Sequence, residues 1–259
     1  MSKQPIGIFD SGVGGTSIWK EIVALLPQEN TIYLADSINA PYGPKGKERI
    51  VELCEKNTRL LLEKNVKLIV VACNTATTNA IDHLRSRYAI PFIGIEPAIK
   101  PAALKTKTNT IGILATKGTL SSALFHKTSN LFASNITVIE QDGEGIVPLI
   151  EKGQLDSHEM HQLLTQYLEP MIKANIDHLV LGCSHYPYLI PHLRKMLPKN
   201  VNIIDSGTAV AKQTKAILSQ HALLNSSNTT GIHAFYSNGD PNILNHLLNN
   251  SQEVNYLNF

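Results

Sequence analysis

Ile69-Val70-Val71-Ala72-Cys73-Asn74-Thr75-Ala76-Thr77 is the stretch on which the reading of the chain turns. An apolar, β-branched run is the signature of a buried strand, and Cys73 falls where that strand gives way to small polar residues and then a helix. Open α/β sheets place their ligands at such carboxyl ends. The stretch has an echo at Leu179-Val180-Leu181-Gly182-Cys183-Ser184-His185-Tyr186-Pro187. There too an apolar strand ends in a cysteine, followed by polar residues and a proline able to open a helix.

Working outward, the elements on either side repeat in the same order. Strands are expected at 6–10, 31–36, 67–72 and 91–95, and again at 110–116, 136–140, 178–182 and 201–205. The first strands of the two series share an Ile-Gly-Ile core, at Ile6-Gly7-Ile8 and Ile111-Gly112-Ile113. Helical patterns fall at about 17–26, 47–65 and 78–88, then at 120–132, 146–152 and 157–173. Repetition of this kind predicts an α/β fold of two similar lobes with mostly parallel sheets, related by a pseudo-two-fold axis. Residues 1–97 and 208–259 are expected to form the first lobe and residues 98–207 the second. The segment from Thr208 is too small to stand alone and is expected to pack back on the first lobe, with a strand at 232–236 and a helix after Asp240. An axis relating the lobes would bring Cys73 and Cys183 to opposite sides of one cleft.

Two thiols facing each other can remove a proton from one side of a carbon and deliver one to the other, which inverts a stereocentre. A free thiol titrates near ~8.5, and a helix amino terminus or nearby donors lower this, so a strand-end cysteine before a helix is a usable base. For a single cysteine the simpler explanation is burial in a core. Two at repeat-equivalent positions, each followed by a polar pair (Asn74-Thr75 and Ser184-His185), point to function. The Asn and Thr groups and exposed backbone donors can hold a carboxylate. His185 beside Cys183, and Asp10 on the opposing lobe, could tune or relay protons. Cys54 sits on the apolar face of its helix with Ile50, Leu53 and Leu61, and is expected to be a small core residue.

The glycine turn Asp10-Ser11-Gly12-Val13-Gly14-Gly15 after the first strand satisfies neither G-x-G-x-x-G nor G-x-x-x-x-G-K-[ST], and Asp10 would place a carboxylate against any docked phosphate. A cationic ammonium suits it better. The loop Pro41-Tyr42-Gly43-Pro44 is too rich in Pro and Gly for helix and is placed to touch ligand.

Composition excludes other classes. With 43% hydrophobic and 17% charged residues and a net charge of +2, the chain is an ordinary globular sequence with no electrostatic footprint for nucleic acid. Lys105 and Lys107 read as solvated loop charges. No apolar run approaches the roughly 18 residues needed to span a bilayer, and the amino terminus leaves no room for an export signal before the first strand. A cytoplasmic protein with three reduced cysteines and no membrane association is expected. No C-x-x-C or similar ligand spacing occurs, so neither a metal nor another cofactor is expected.

At these residues the chain resembles the glutamate racemases of the aspartate/glutamate racemase superfamily. The resemblance runs through Gly7-Ile-Phe-Asp-Ser-Gly-Val-Gly-Gly15, Leu34-Ala-Asp36, Pro41-Tyr-Gly43, Ala72-Cys-Asn-Thr-Ala76, Val147-Pro-Leu-Ile-Glu151 and Gly182-Cys-Ser-His-Tyr-Pro187, in order over most of the chain. It implies cofactor-independent, two-base interconversion of L- and D-glutamate, supplying D-glutamate for bacterial peptidoglycan. In that reading Cys73 acts on D-glutamate and Cys183 on L-glutamate, assisted by Asp10, Glu151 and His185. Asp10, Ser11, Tyr42, Gly43, Asn74, Thr75, Thr116, Ser184 and His185 would line the substrate. Thr is usual in the family where this chain has Ser184; the hydroxyl survives, so binding is expected to persist. Family members commonly form dimers, which makes a homodimer the assembly to test. The same logic fits an aspartate racemase, and some glutamate racemases also bind DNA gyrase. The amino-terminal extension of one gyrase-inhibiting type is not found before the first strand.

Overall fold

Strands covered by helices on both faces must be apolar along their whole length. In the computed structural model, which describes residues 3–259, the central strands meet that requirement apart from the polar residues at their ends, Asp10, Thr110 and His178. β1 (Ile6–Asp10), β3 (Leu68–Val71) and β7 (His178–Gly182) are buried at every position, and β5 (Thr110–Ala115) at all but its first. The remaining strands are β2 (Thr31–Ala35), β4 (Phe92–Gly94), β6 (Thr137–Asp142), β8 (Asn202–Ile204), β9 (His233–Ser237) and β10 (Val254–Tyr256). Of the rim strands, β6, β8 and β10 are half-buried or exposed, whereas β4 is buried at two of its three positions.

All pairings are parallel. The first sheet has the order β10-β9-β2-β1-β3-β4 and the second β6-β5-β7-β8. Setting β1 against β5, β2 against β6, β3 against β7 and β4 against β8 superposes the two orders, so the repeat read from the sequence is a repeat of topology. Strands of the first sheet come from residues 6–94 and 233–256, those of the second from 110–204. β9 joins the first sheet beside β2, and β10, which the sequence pattern does not predict, extends it.

The echo reaches further back than the strands. Asn65 and Asn175, each eight residues ahead of its cysteine, both adopt φ of 57°. A left-handed residue closes a helix by turning the chain back, and Asn tolerates that conformation better than most side chains. Here each Asn ends the helix that feeds a central strand.

Eleven helices among the described residues pack around the sheets: α1 (Thr16–Leu25), α2 (Lys47–Glu63), α3 (Asn74–Arg87), α4 (Ile99–Lys105), α5 (Lys117–Leu120), α6 (Ala123–Ala133), α7 (Ile146–Glu151), α8 (His158–Lys173), α9 (Ile190–Met196), α10 (Gly207–Gln220) and α11 (Pro241–Leu247). Cys54, on α2, is fully buried in the core with Ile50, Leu53 and Leu61, and burial pushes its thiol far up. No helix of the described residues is long and apolar enough to cross a membrane.

Three local expectations change. The single helix expected at 120–132 is two, α5 and α6, because Ser122 takes up an extended backbone and its hydroxyl caps α6 by accepting from Phe125 N at 3.2 Å. α3 begins at Asn74 rather than near 78, since Cys73 itself is the capping residue, its sulfur accepting from Ala76 N at 3.4 Å. Pro187 does not open an α-helix directly; it lies in a 3₁₀ turn, Tyr186–Leu189, ahead of α9. The two cysteines therefore both stand at a strand end, but one leads straight into an α-helix and the other into a 3₁₀ turn. Residues 1 and 2, at the start of the first expected lobe and of the stretch read for an export signal, lie outside the described residues.

Candidate active site

Parallel register aligns the carboxyl ends of the central strands. Phe9 lies beside Val71, so Asp10 and Ala72 end adjacent strands, and Ala115 lies beside Gly182, which sets Thr116 level with Cys183. The loops leaving these ends meet between the sheets. One core runs across them: Val13 and Ala72 from the first half pack in the same cluster as Ile146, Val147 and Cys183 from the second.

Asp10 is fully buried and accepts from Gly15 N at 2.8 Å and from the Ser184 hydroxyl at 3.2 Å, and so ties the glycine turn to the opposite half. Burial raises its pKa, with the nearby His185 and the Gly15 N–H opposing. Cys73, 4% exposed, donates its thiol to Ser11 Oγ at 3.6 Å. Burial, reinforced by the Asp10 charge, pushes the Cys73 thiol well up, and the Ala76 N–H and Ser11 hydroxyl offset only part of this. The helix amino terminus thus does not by itself make Cys73 a ready base, contrary to the expectation from its position. The Ser184 hydroxyl, next to Cys183, bonds Asp10, which ends the strand beside that of Cys73.

On the other side, His185 Nδ1 lies 3.8 Å from the Cys183 sulfur and 3.4 Å from Ser184 Oγ, and Nε2 meets Glu151 Oε1 at 2.5 Å. Burial opposes a charge on His185, but Cys183, Glu151 and Asp10, whose carboxylate is 3.9 Å away, outweigh it and hold the imidazole protonated well above its usual range. Asn74 is 2% exposed, and neither its amide oxygen nor its nitrogen has a partner. An unpaired buried amide costs about 1–3 kcal/mol, so a polar group arriving beside it is strongly favoured.

The other expected lining residues divide. Thr75 and Thr116 face each other across the halves with hydroxyls 2.8 Å apart, and Gly43 lies against Thr116, where a Cβ would stand 3.3 Å from the threonine Cβ. Gly43 and Thr116 border a cavity of about 740 Å³ that also touches Asn79, Asp142 and Pro148. The cysteines are not part of its wall. Tyr42 is buried in the same cluster as Cys73, but its hydroxyl turns away and donates to Asp36 at 2.5 Å. Sequence reasoning missed Ser37, which reaches the Glu151 carboxylate at 2.8 Å; nothing but its place after a strand marked it.

Residues 6–214 match the model of the Asp/Glu/hydantoin racemase family. The chain belongs to that family. Among relatives of this racemase, a glutamate racemase of Herpetosiphon aurantiacus is 45% identical over 93% of this chain and 95% of its own. The structure of Escherichia coli glutamate racemase in complex with L-glutamate and the activator UDP-MurNAc-Ala is similar with a TM-score of 0.86 at 32% identity, covering 98% of both chains. That of the Francisella tularensis enzyme with D-glutamate has a TM-score of 0.83 at 29% identity, covering 99% of this racemase and 98% of that chain. The family expected from the motifs is therefore the family found, and the racemase fold has the two parallel sheets expected of it.

Proposed function

We propose that this racemase interconverts L- and D-glutamate by two-base proton transfer between Cys73 and Cys183, and so supplies D-glutamate for peptidoglycan in the cytoplasm. The observation that carries the reading is the pair of buried strand-end thiols, one on each sheet, linked by the hydrogen bond from Ser184, next to Cys183, to Asp10 at the end of the strand beside that of Cys73. The named relatives support glutamate over aspartate. Residues up to 97 with 208–259, and residues 98–207, act as the two jaws.

In this reading the Asn74 amide and the backbone donors at the start of α3 take the substrate carboxylate, and its ammonium sits towards Asp10. The positive charge stabilises the Cys73 thiolate, which burial and Asp10 disfavour. That thiolate removes the α-proton of D-glutamate, and the Cys183 thiol then protonates the opposite face; the reverse direction exchanges the roles. His185, held positive between Cys183 and Glu151, stabilises the Cys183 thiolate after it has given up its proton. Racemisation of glutamate without additive, followed by polarimetry with aspartate in parallel, is the test. Inactivity on glutamate with turnover of aspartate would overturn the substrate assignment.

Two predictions arise here. One thiol must be thiolate while the other keeps its proton, so kcat/KM is bell-shaped in pH, with limbs that belong to the coupled pair. Because the Cys73 pKa is raised, the second deprotonation, which leaves both thiols ionised, moves upward, so the descending limb lies on the alkaline side of neutrality. A rate already falling between pH 6 and 7 would contradict this. Second, no group of three or more metal-binding side chains forms a metal site among the described residues, and the thiols supply both bases. Dialysis against chelator is expected to leave the rate unchanged, with no Schiff-base absorption.

A further inference from the structure

Val13 and Ser37 both belong to the half built on the six-stranded sheet, and both donate to a carboxylate of the other half. Val13 N reaches Glu151 Oε1 at 2.7 Å, and the Ser37 hydroxyl reaches Oε2 at 2.8 Å. The arrangement needs the glycines that flank Val13. A Cβ at residue 12 would stand 1.9 Å from Glu151 Oε1, and one at residue 14 would stand 2.3 Å from His185 Nδ1. Neither glycine has a left-handed φ, so what these positions supply is space. The turn after β1 is a socket that receives Glu151 and His185.

The supports of the two thiols differ accordingly. Cys73 is held by Ser11 and the Ala76 N–H, both from its own half. The chain behind Cys183 runs through His185 to Glu151 and then crosses to Val13 and Ser37. We propose that Ser37 is a positioning residue: with the Val13 N–H it orients Glu151, and through it His185 at Cys183, so that the Cys183 base is complete only when the halves are closed on each other. A carboxylate held at both oxygens presents one direction to the imidazole; released from Ser37, it can rotate, and His185 loses its fixed aim. This inference rests on the two-thiol reading of the site.

The test uses the whole enzyme with α-deuterated L- and D-glutamate. Ser37→Ala is expected to lower racemisation about tenfold, the usual scale for one hydrogen bond to a charged group. Interconversion of enantiomers has an equilibrium constant of one, so kcat/KM must fall equally in both directions; the isotope effects need not. With the Cys183 step slowed, the isotope effect on kcat/KM rises for L-glutamate, whose proton that thiol takes, and falls towards one for D-glutamate. Ser37→Thr keeps the hydroxyl and is expected to restore both rate and balance. Unchanged activity in Ser37→Ala, or a loss that leaves the two isotope effects in their wild-type ratio, would overturn the proposal while leaving the two-thiol reading intact. A wild-type enzyme that does not exchange the α-proton of glutamate would overturn both.

Discussion

Cys73→Ser and Cys183→Ser are each expected to lower racemisation by about 10²–10⁴-fold, the scale of a lost general acid or base. Serine keeps the shape of the side chain, but its proton is held far more tightly than a thiol's, so it is a poor base at neutral pH. Steady-state rates from either enantiomer measure the loss. The double replacement should cost much less than the product of the two single losses, because both residues serve one transfer sequence. In the proposed two-thiol site both cysteines come from one chain, so mixing the two single variants under subunit-exchange conditions should restore nothing. Recovered activity would mean that the site is built between chains.

The second large effect is expected at the socket. Gly14→Ala pushes a methyl to 2.3 Å from the His185 ring, and Gly12→Ala pushes one to 1.9 Å from the Glu151 carboxylate. Neither neighbour is free to swing away, since His185 is buried and Glu151 is held from three directions. Overpacking on this scale costs about 1–3 kcal/mol, and because it acts on the Cys183 support, kcat should fall about 10–100-fold. A second substitution separates displacement of the carboxylate from general damage. Glu151→Asp shortens the side chain by one methylene, and in the Gly12→Ala background it should cost less than it does alone. Strict additivity of the two losses would show that the added methyl acts elsewhere.

How far the sequence carries the structure depends on the range of the interactions concerned. Strand and helix order was legible because burial on both faces demands uninterrupted apolar runs such as 68–71 and 179–182. β10 was not, since Val254–Tyr256 is a short, exposed edge strand whose place is set by its pairing with β9. Helix starts that depend on capping were misplaced for a local reason: a cysteine capping α3 through its sulfur and a serine interrupting 117–133 are weak signals beside the apolar pattern.

Within the site, the sequence by itself determined the two strand-end cysteines and the polar residues that come after them, because repetition marks equivalent positions in a chain. Only the tertiary structure decided what surrounds them. Burial and the Asp10 charge raise Cys73 where a helix terminus alone would lower it, a balance fixed by residues 63 positions apart in sequence (73 − 10). Besides His185, Glu151 gains two donors from residues 114 and 138 positions away. Gly12 and Gly14, which match no phosphate-loop template, acquire their purpose from side chains of the other half that no local pattern could announce. Periodicity and motif report what a residue does to its neighbours in the chain; the electrostatics and the free space at a site are sums over neighbours in three dimensions, and the fold alone supplies those.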